Sequence, residues 1–325
     1  MVDLLALLDD DTVLQLISGK ADSGSSYLFT IHQDTALHDQ AAGLAVGGAQ
    51  AAGHYVAGVE GSQAASVPPP GMYYLGYLVN YNIDDFRIPG TSDNLPGHNS
   101  GTVTALANRF VWITNYKLLG ADYGMEAIVP VMRTSLTLNA AGISDSRTGV
   151  GDIYLGPLVL GWHGTQWDAV AAAGMWLDSG STGQPASAGK GFKSTMLTGG
   201  LTYHFDAAKT LSASALARYE FNGKNDAGFR HGDQMTVEWG LSKGLGPVSL
   251  GLVGYSQWQT SGDSGPGAGN DKAARHAVGA EVVYPILSAG VFLKGAYYKE
   301  VNVKAGSGGA EPKGSMVRFT LVKAF

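Results

Sequence analysis

The sequence predicts an all-β fold, and more specifically a transmembrane up-and-down antiparallel β-barrel of about twelve strands with an N-terminal extension. Two observations lead to this prediction. From residue 72 onward, apolar or aromatic residues alternate with small or polar ones over long segments, which is the period of a strand with two different faces. Short and long connections also follow one another in turn, as in a barrel with short turns at one rim and long loops at the other.

Composition excludes several classes of protein. Among 325 residues, 47 are glycine and only 15% are charged, so the surface is less ionic than that of a typical soluble domain. No run approaches the roughly 18 apolar residues that a membrane-spanning helix needs. The absence of cysteine excludes disulfides, thiolate metal sites and cysteine nucleophiles. A net charge of -6 without a basic stripe argues against a nucleic-acid partner.

Residues 1–51 form a leader that does not follow the barrel pattern. Three consecutive acidic residues occupy positions 9–11, where a secretory signal would carry basic residues. A short apolar run at residues 41–51 ends in Ala-Gln-Ala, which is typical of a signal cleavage site. The leader is therefore either a mis-called start or signal region ahead of a protein beginning near Ala52, or an unusual soluble leader.

Residues 72–325 make up the predicted barrel. In the first segment Tyr73, Tyr77 and Tyr81 share one face with other apolar residues, and Asn80 lies on the opposite face. Later segments show the same alternation, and we expect the apolar face of each strand to point to lipid. The predicted segments are residues 72–83, 102–117, 123–135, 151–162, 167–178, 191–205, 210–222, 233–243, 248–259, 273–284, 288–301 and 314–325.

A soluble β-sandwich or propeller is the alternative for this pattern. The segments are longer than the usual 5 or 6 residues of soluble strands. Aromatic residues also gather near segment ends, as with Trp162 and Trp167 or Tyr203 and Phe205, which is typical of membrane-interface girdles. An even strand number places both ends of the barrel on the short-turn side, so we predict an outer-membrane protein with both barrel ends in the periplasm.

The last segment, GSMVRFTLVKAF, carries Phe319, Leu321 and the terminal Phe325 at alternate positions. It resembles the C-terminal strand signal of bacterial outer-membrane proteins, although Lys323 stands where an apolar or aromatic residue is usual. The resemblance implies the barrel-assembly machinery as a partner, together with outer-membrane lipid.

Three further stretches are similar to the outer-membrane family named after the meta (MetA) pathway of phenol degradation. They are HYVAGVEGSQAASVPPPGMYY at residues 54–74, GVGDIYLGPLVLGWHG at 149–164 and LGLVGYSQWQTSGDSG at 250–265. With the strand rhythm, the resemblance covers residues 54–325. It implies a narrow channel for small, often hydrophobic molecules in organisms that degrade aromatic compounds, and it brings no catalytic residues or cofactor.

Polar residues opposite the predicted lipid face form one candidate lumen surface. Charges of both signs on neighbouring strands are expected to pair inside the barrel, because an unpaired buried charge is costly. This surface is either a selectivity wall for a permeating solute or a salt-bridged filling. Its members are Arg218, Glu220, Glu238, Gln257, Arg275, Glu281, Lys294, Glu300 and Arg318.

The second to fifth segments are apolar on both faces, so their register is poorly fixed. We predict that Phe110, Trp112, Met132 and Tyr154 point inward there. They form either an apolar lumen for a small hydrophobic solute or simple packing against an inserted segment.

Residues 52–71 precede the first strand and contain three prolines, which resist helix formation and ladder pairing. The segment either folds back as a constriction or remains a periplasmic tail. As a constriction it presents Tyr55, Val56, Glu60, Pro68, Pro69 and Pro70.

An enzymatic barrel is the main functional rival to a channel, and a structural or adhesive barrel is a third possibility. Eight histidines are present, but no pair shows a known catalytic or metal-ligand spacing. The sequence therefore predicts a monomeric channel for small hydrophobic solutes, with no catalytic residues, metal or cofactor.

Overall fold

The computed structural model of the chain describes residues 3–9, 12–20, 26–30 and 53–325. It divides the chain into two units, residues 1–42 and 43–325. In the first unit, β1 (Asp3–Asp9), β2 (Thr12–Lys20) and β3 (Ser26–Thr30) form an antiparallel sheet in that order. The apolar run with a signal-like end, residues 41–51, lies outside the described residues.

The second unit is a closed antiparallel barrel with twelve strand positions. Its sheet closes because the last strand pairs with the first, with Phe319 opposite Leu78. Thirteen strands fill the twelve positions, because β7 and β8 both pair with β6 and continue one another. The strands are β4 (Gly71–Arg87), β5 (Asn99–Leu118), β6 (Ala121–Leu138), β7 (Ile143–Val150), β8 (Tyr154–His163), β9 (Trp167–Trp176), β10 (Ser194–His204), β11 (Leu211–Asn222), β12 (Gln234–Leu245), β13 (Val248–Gln259), β14 (Ala274–Ile286), β15 (Val291–Lys304) and β16 (Glu311–Ala324).

The predicted twelve-strand barrel is confirmed, with one addition. The fourth predicted segment began at residue 151, whereas the strand position begins at Ile143 and is interrupted at residues 151–153. Asp152 in the interruption accepts hydrogen bonds from the backbone amides of Gly180 at 2.8 Å and Lys190 at 2.7 Å. The Asp152 side chain and the long loop that contains Gly180 and Lys190 therefore complete the wall at this point.

The short turns are built from local backbone geometry. In the β5–β6 hairpin, Leu119 and Gly120 both have positive φ, +54° and +78°. Two consecutive positive φ values are typical of the type I′ turn, whose twist matches that of paired strands. Gly142 and Gly290, with φ of +62° and +59°, end the short 3-10 turns that precede β7 and β15.

The outer face of β9–β16 is apolar at every second position, as predicted. Leu201, Leu241, Leu252 and Phe319 are each about half exposed, while alternate residues are buried inside. Exposed apolar surface of this extent suits lipid contact, because hydrocarbon does not penalise it. Across the described residues, no helix has the length and apolar character needed to cross a membrane.

Strand β4 reverses the expected orientation. Tyr77, Val79, Tyr81 and Ile83 are at most 9% exposed and face the interior. The expectation that the apolar face of this strand points to lipid is therefore wrong. The reason is packing: these residues contact apolar side chains of neighbouring strands across the interior, such as Tyr255 of β13.

Candidate channel lumen

Residues 53–70, here called the lumen segment, run through the interior of the barrel. Hydrogen bonds and ion pairs connect the segment to side chains on strands from β5 round to β16. Because the partners stand on all sides of the wall, the segment is held by the barrel and not by one strand.

One end of the segment is fixed by His54. Its Nδ1 lies 2.7 Å from Glu220 Oε1, and its Nε2 lies 3.4 Å from Asp152 Oδ2. The imidazole ring also stacks on Trp176, with 5.6 Å between ring centroids. Two carboxylates on opposite sides of one imidazole form charge-assisted contacts when the ring is protonated.

The other end of the segment is fixed near the short-turn rim. The hydroxyl of Ser66 donates a hydrogen bond of 2.9 Å to Asp168. Ring nitrogens of His163 and His204 each lie 3.1 Å from the same carboxylate. The segment is thus secured at both ends of the lumen.

The middle of the segment is held by Arg318 and Glu281, which form an ion pair. Arg318, fully buried, donates a 3.0 Å hydrogen bond to the Gly58 carbonyl and a further one to the Val59 carbonyl. Glu281 accepts hydrogen bonds from the backbone amide and the hydroxyl of Ser62, at 2.9 and 2.7 Å. Each of the two buried charges therefore has partners in the segment as well as in the other charge, while Arg318 Nε has no hydrogen-bond partner among the described residues.

Tyr55 connects the segment to the opposite wall. Its hydroxyl donates a hydrogen bond to Glu238, and the backbone amide of Glu60 donates another to the same carboxylate at 3.2 Å. The guanidinium of Arg218 stands 4.2 Å above the Tyr55 ring, within range for a cation–π interaction.

Glu60 lies between two arginines, and we call Glu60, Arg109, Arg218 and Glu126 the Glu60 cluster. Arg109 Nη1 donates to Glu60 Oε1 at 3.0 Å, and Arg218 Nη2 donates to the same oxygen at 2.6 Å. Arg109 also pairs with Glu126 at 2.6 Å. The cluster joins β5 to β11 through a residue of the lumen segment.

Sequence reasoning missed Arg109 and Glu126. Residues Val111 and Glu126 are opposite each other in the β5–β6 pairing, so Arg109 is the diagonal neighbour of Glu126. Opposite charges in such diagonal positions lie within reach of long side chains. Two charges of opposite sign in otherwise apolar neighbouring segments were the available signal.

A separate polar network surrounds Glu300. Arg275 donates to Glu300 at 2.9 Å and pairs with Glu311. The hydroxyls of Tyr81 and Tyr255 donate to Glu300 at 2.7 and 2.9 Å. None of these bonds involves a residue of the lumen segment.

The predicted polar surface lies on the inner face of the barrel. Eight of its nine members are buried, and Lys294 is partly buried. Gln257 differs from the charged members because its amide donates to Thr236 at 2.9 Å, in the wall itself.

A cavity of about 140 Å³ inside the barrel is lined by the lumen segment, by wall residues such as Arg218 and Arg275, and on another side by strands β4–β6. Its lining is mainly apolar on this side, with Val79 and Val103 among the contributors. The Glu60 cluster also lines the cavity. Further apolar lining residues are Val59, Ala105, Ala107, Ile128, Met132 and Met316.

Two of the four residues that were predicted to form an apolar lumen surface face the interior. Met132 lines the cavity, and Tyr154 is fully buried against Tyr55 and Trp176. Phe110 and Trp112 are 53% and 49% exposed and lie on the outer face, so the prediction that they point inward is wrong. The odd-numbered residues of β5, which carry Arg109, face the interior instead.

The remaining predicted residues lie in the lumen segment and on strand β16. Val56 is partly buried and lines the cavity. Pro68 is partly buried, while Pro69 and Pro70 are exposed and lead directly into β4. On β16, Phe319 and Leu321 are exposed on the outer face, and the terminal Phe325 is exposed beyond the strand.

Two ionisable groups in the long loops are perturbed by burial. Burial lowers the pKa of Lys190 to about 8, although Glu311, Glu220 and Asp152 favour its charged form. Burial, with a smaller contribution from Lys190, lowers the pKa of His231 to about 4. Lys190 lines the cavity, so its charge acts on whatever enters there.

Within the described residues, no group of three or more His, Cys, Asp or Glu side chains is arranged to hold a metal ion. Ser194 Oγ lies 3.0 Å from His54 Nδ1 and 2.6 Å from Glu220 Oε1. Both Ser194 and His54 are at most 6% exposed, so this hydroxyl is engaged and shielded.

A family model described as "Putative MetA-pathway of phenol degradation" matches residues 83–316. Comparison with curated proteins gives no match. Among solved structures, the COG4313 outer membrane channel from Pseudomonas putida F1 is similar in fold, at 15% identity and a TM-score of 0.70, over 84% of this chain and 100% of that one. The translocator domain of the autotransporter NalP from Neisseria meningitidis matches less well, at 10% identity and a TM-score of 0.46, over 79% of this chain and 90% of that one.

Proposed function

The chain belongs to the family described as putative MetA-pathway of phenol degradation, and from this premise we propose that it is an outer-membrane channel. Its proposed role is passive diffusion of small hydrophobic or aromatic molecules through a narrow lumen that the lumen segment partly occludes. The similar fold of the COG4313 outer membrane channel supports a barrel of this class.

One observation carries the proposal: the apolar cavity of about 140 Å³ inside a closed barrel. An apolar cavity of about 150 Å³ in another protein stays dry and binds benzene. The lumen therefore offers a single aromatic ring a site of suitable size and chemistry. A site that holds such a ring weakly favours its entry without trapping it.

The orientation of the barrel is part of the proposal. We place the long loops outside the cell and the short turns in the periplasm, with both barrel ends on the periplasmic side. Exposed Phe319, Leu321 and Phe325 are the proposed signal for the barrel-assembly machinery. The proposed functional unit is a monomer, because one chain closes its own barrel, and we propose no cofactor for it.

An enzymatic barrel is less well supported. The Ser194–His54 contact resembles a nucleophile and a base, but the Ser194 hydroxyl already donates its hydrogen bond to Glu220, and both Ser194 and His54 are buried. We therefore propose that the protein is not an enzyme.

Two measurements test the channel. In planar bilayers, the intact chain is expected to show small conductance steps, and a variant lacking residues 53–67 larger ones, because the lumen segment then no longer fills the barrel. In a Gram-negative host without aromatic channels, expression is expected to raise the uptake rate of labelled toluene. The outer-face variant Leu252→Ala is the matched control and should behave as the intact chain does.

A barrel that conducts no ions, either intact or without residues 53–67, and that leaves toluene uptake unchanged would contradict the proposal. Such a result would favour a structural or adhesive barrel. Equal conductance of the intact and shortened chains would contradict the constriction alone.

A further inference from the structure

We propose that this lumen selects small aromatic carboxylates, whose carboxylate exchanges with that of Glu60 between Arg109 and Arg218. The inference rests on the proposed channel function and narrows its solute class. An aromatic ring would occupy the apolar cavity while the carboxylate takes the position of the Glu60 side chain.

The first step is the arrangement of the Glu60 cluster. Arg109 and Arg218 belong to different parts of the wall, β5 and β11, and both donate to Glu60 Oε1. Arg109 has a second carboxylate partner in Glu126. Among the described residues, Glu60 is the one carboxylate within ion-pairing distance of Arg218.

The second step concerns the remaining donors of Arg218. Its Nη1 is buried and has no hydrogen-bond partner in the described part of the chain. A guanidinium group is a planar fork that matches a carboxylate in a bidentate manner, and Glu60 uses only Nη2. An incoming carboxylate that engages both nitrogens satisfies a donor that Glu60 leaves unsatisfied.

The third step is the cost of passage. A solute that crosses the lumen at this level must move the Glu60 side chain, which lies beside the cavity. With an uncharged solute, Arg218 loses its counter-ion while the solute passes, so such a solute crosses more slowly than one that carries a carboxylate. A carboxylate solute restores the ion pair, so Arg218 keeps a counter-ion while that solute passes.

The fourth step is the neighbouring apolar surface. Ala105, Ala107, Ile128 and Val59 line the same cavity as Arg109, Arg218 and Glu60. A solute with both an aromatic ring and a carboxylate can therefore contact the apolar lining and the arginines at once. A solute with only the ring or only the carboxylate makes one of these two sets of contacts. Because the solute must compete with the Glu60 carboxylate, which is covalently attached to the chain, its binding stays weak, as conduction requires.

Binding to the full chain in detergent micelles tests the inference, followed by tryptophan fluorescence because Trp176 lines the cavity. The probes are benzoate, benzamide, which has the same shape without the charge, and acetate, which has the charge without the ring. We expect benzoate to bind about tenfold more tightly than either, a difference of about 1.4 kcal/mol. Equal binding of benzoate and benzamide would overturn the inference.

Variants locate the site. Glu60→Gln removes the competing carboxylate and should tighten benzoate binding about tenfold, while Arg218→Met should abolish the preference for benzoate over benzamide. Asp84→Asn, which breaks an exposed ion pair with Lys299 away from the cavity, is the matched control. It should change neither the affinity for benzoate nor the preference for benzoate over benzamide. Unchanged benzoate affinity in Glu60→Gln would refute the exchange, even if Arg218→Met fails to fold.

Conductance measured on the same preparations separates this inference from the channel itself. A conducting barrel without benzoate preference rejects the carboxylate inference and retains the channel. A barrel that conducts neither intact nor without residues 53–67 rejects the channel as well.

Discussion

Two parts of the barrel wall present different kinds of side chain to the interior. Strands β4–β6 face it with apolar residues such as Val79, Val103 and Ile128, whereas β11–β16 face it with charges such as Glu238, Glu281 and Arg318. The lumen segment is bound mainly to the charged strands. The cavity lies beside the apolar strands. The difference separates two tasks: the charged part holds the segment in place, and the apolar part leaves room for a hydrophobic solute.

The largest effect is expected when the charged part loses its central residue. Arg318→Met leaves Glu281 without its ion-pair partner inside the barrel, so the free energy of unfolding should fall by about 3 to 5 kcal/mol. Urea unfolding in micelles measures this change. The neighbouring outer-face variant Val317→Ala removes only apolar contacts and should cost about 1 kcal/mol or less. Equal losses in the two variants would show that the inner charges do not hold the fold.

Filling the apolar part should affect solute binding more than stability. Ala107→Leu places a larger side chain in the cavity, so toluene binding to the purified chain should weaken about tenfold or more. Tryptophan fluorescence measures this affinity. Leu106→Phe, on the outer face at the adjacent position, is the control and should leave binding intact. A cavity that still binds toluene normally in Ala107→Leu would mean that the solute binds elsewhere.

A smaller effect is expected from Lys190, whose pKa burial lowers to about 8. Below this pH the group is positive, and above it the lumen loses one positive charge. The reversal potential in a KCl gradient should therefore shift toward cation preference as the pH rises from about 7 to about 9, around the pKa of 8. Lys190→Met should show cation preference throughout and no such shift. A pH shift that persists in Lys190→Met would assign the titration to another group.

The sequence predicted the charged part well and the apolar part poorly, for a physical reason. On β16, Arg318 and Thr320 alternate with Val317 and Phe319, so burial of the polar residues fixes which face points inward. On β5, Leu106, Phe110 and Trp112 offered a larger apolar face than the residues opposite them. This larger apolar face led to the prediction that Phe110 and Trp112 point inward, whereas both are exposed on the outer face.

The ion pair between Arg109 of the apolar part and Glu60 of the lumen segment could not be predicted from the sequence pattern. Arg109 pairs both with Glu126 and with Glu60, and Glu60 is 49 residues before Arg109 in the chain. No periodicity connects a strand to a segment that folds back through the barrel. That contact exists because a buried charge must find a partner wherever the fold offers one.

Strand number, the order of short and long connections, the C-terminal strand and the inward charges of β11–β16 followed from the sequence alone, since each depends on local alternation of side-chain polarity. The inverted face of β4, the interruption between β7 and β8, and the ion pairs of the Glu60 cluster were decided by the tertiary structure. Each of these features depends on contacts across the barrel between residues far apart in the chain, which local alternation of side-chain polarity does not specify.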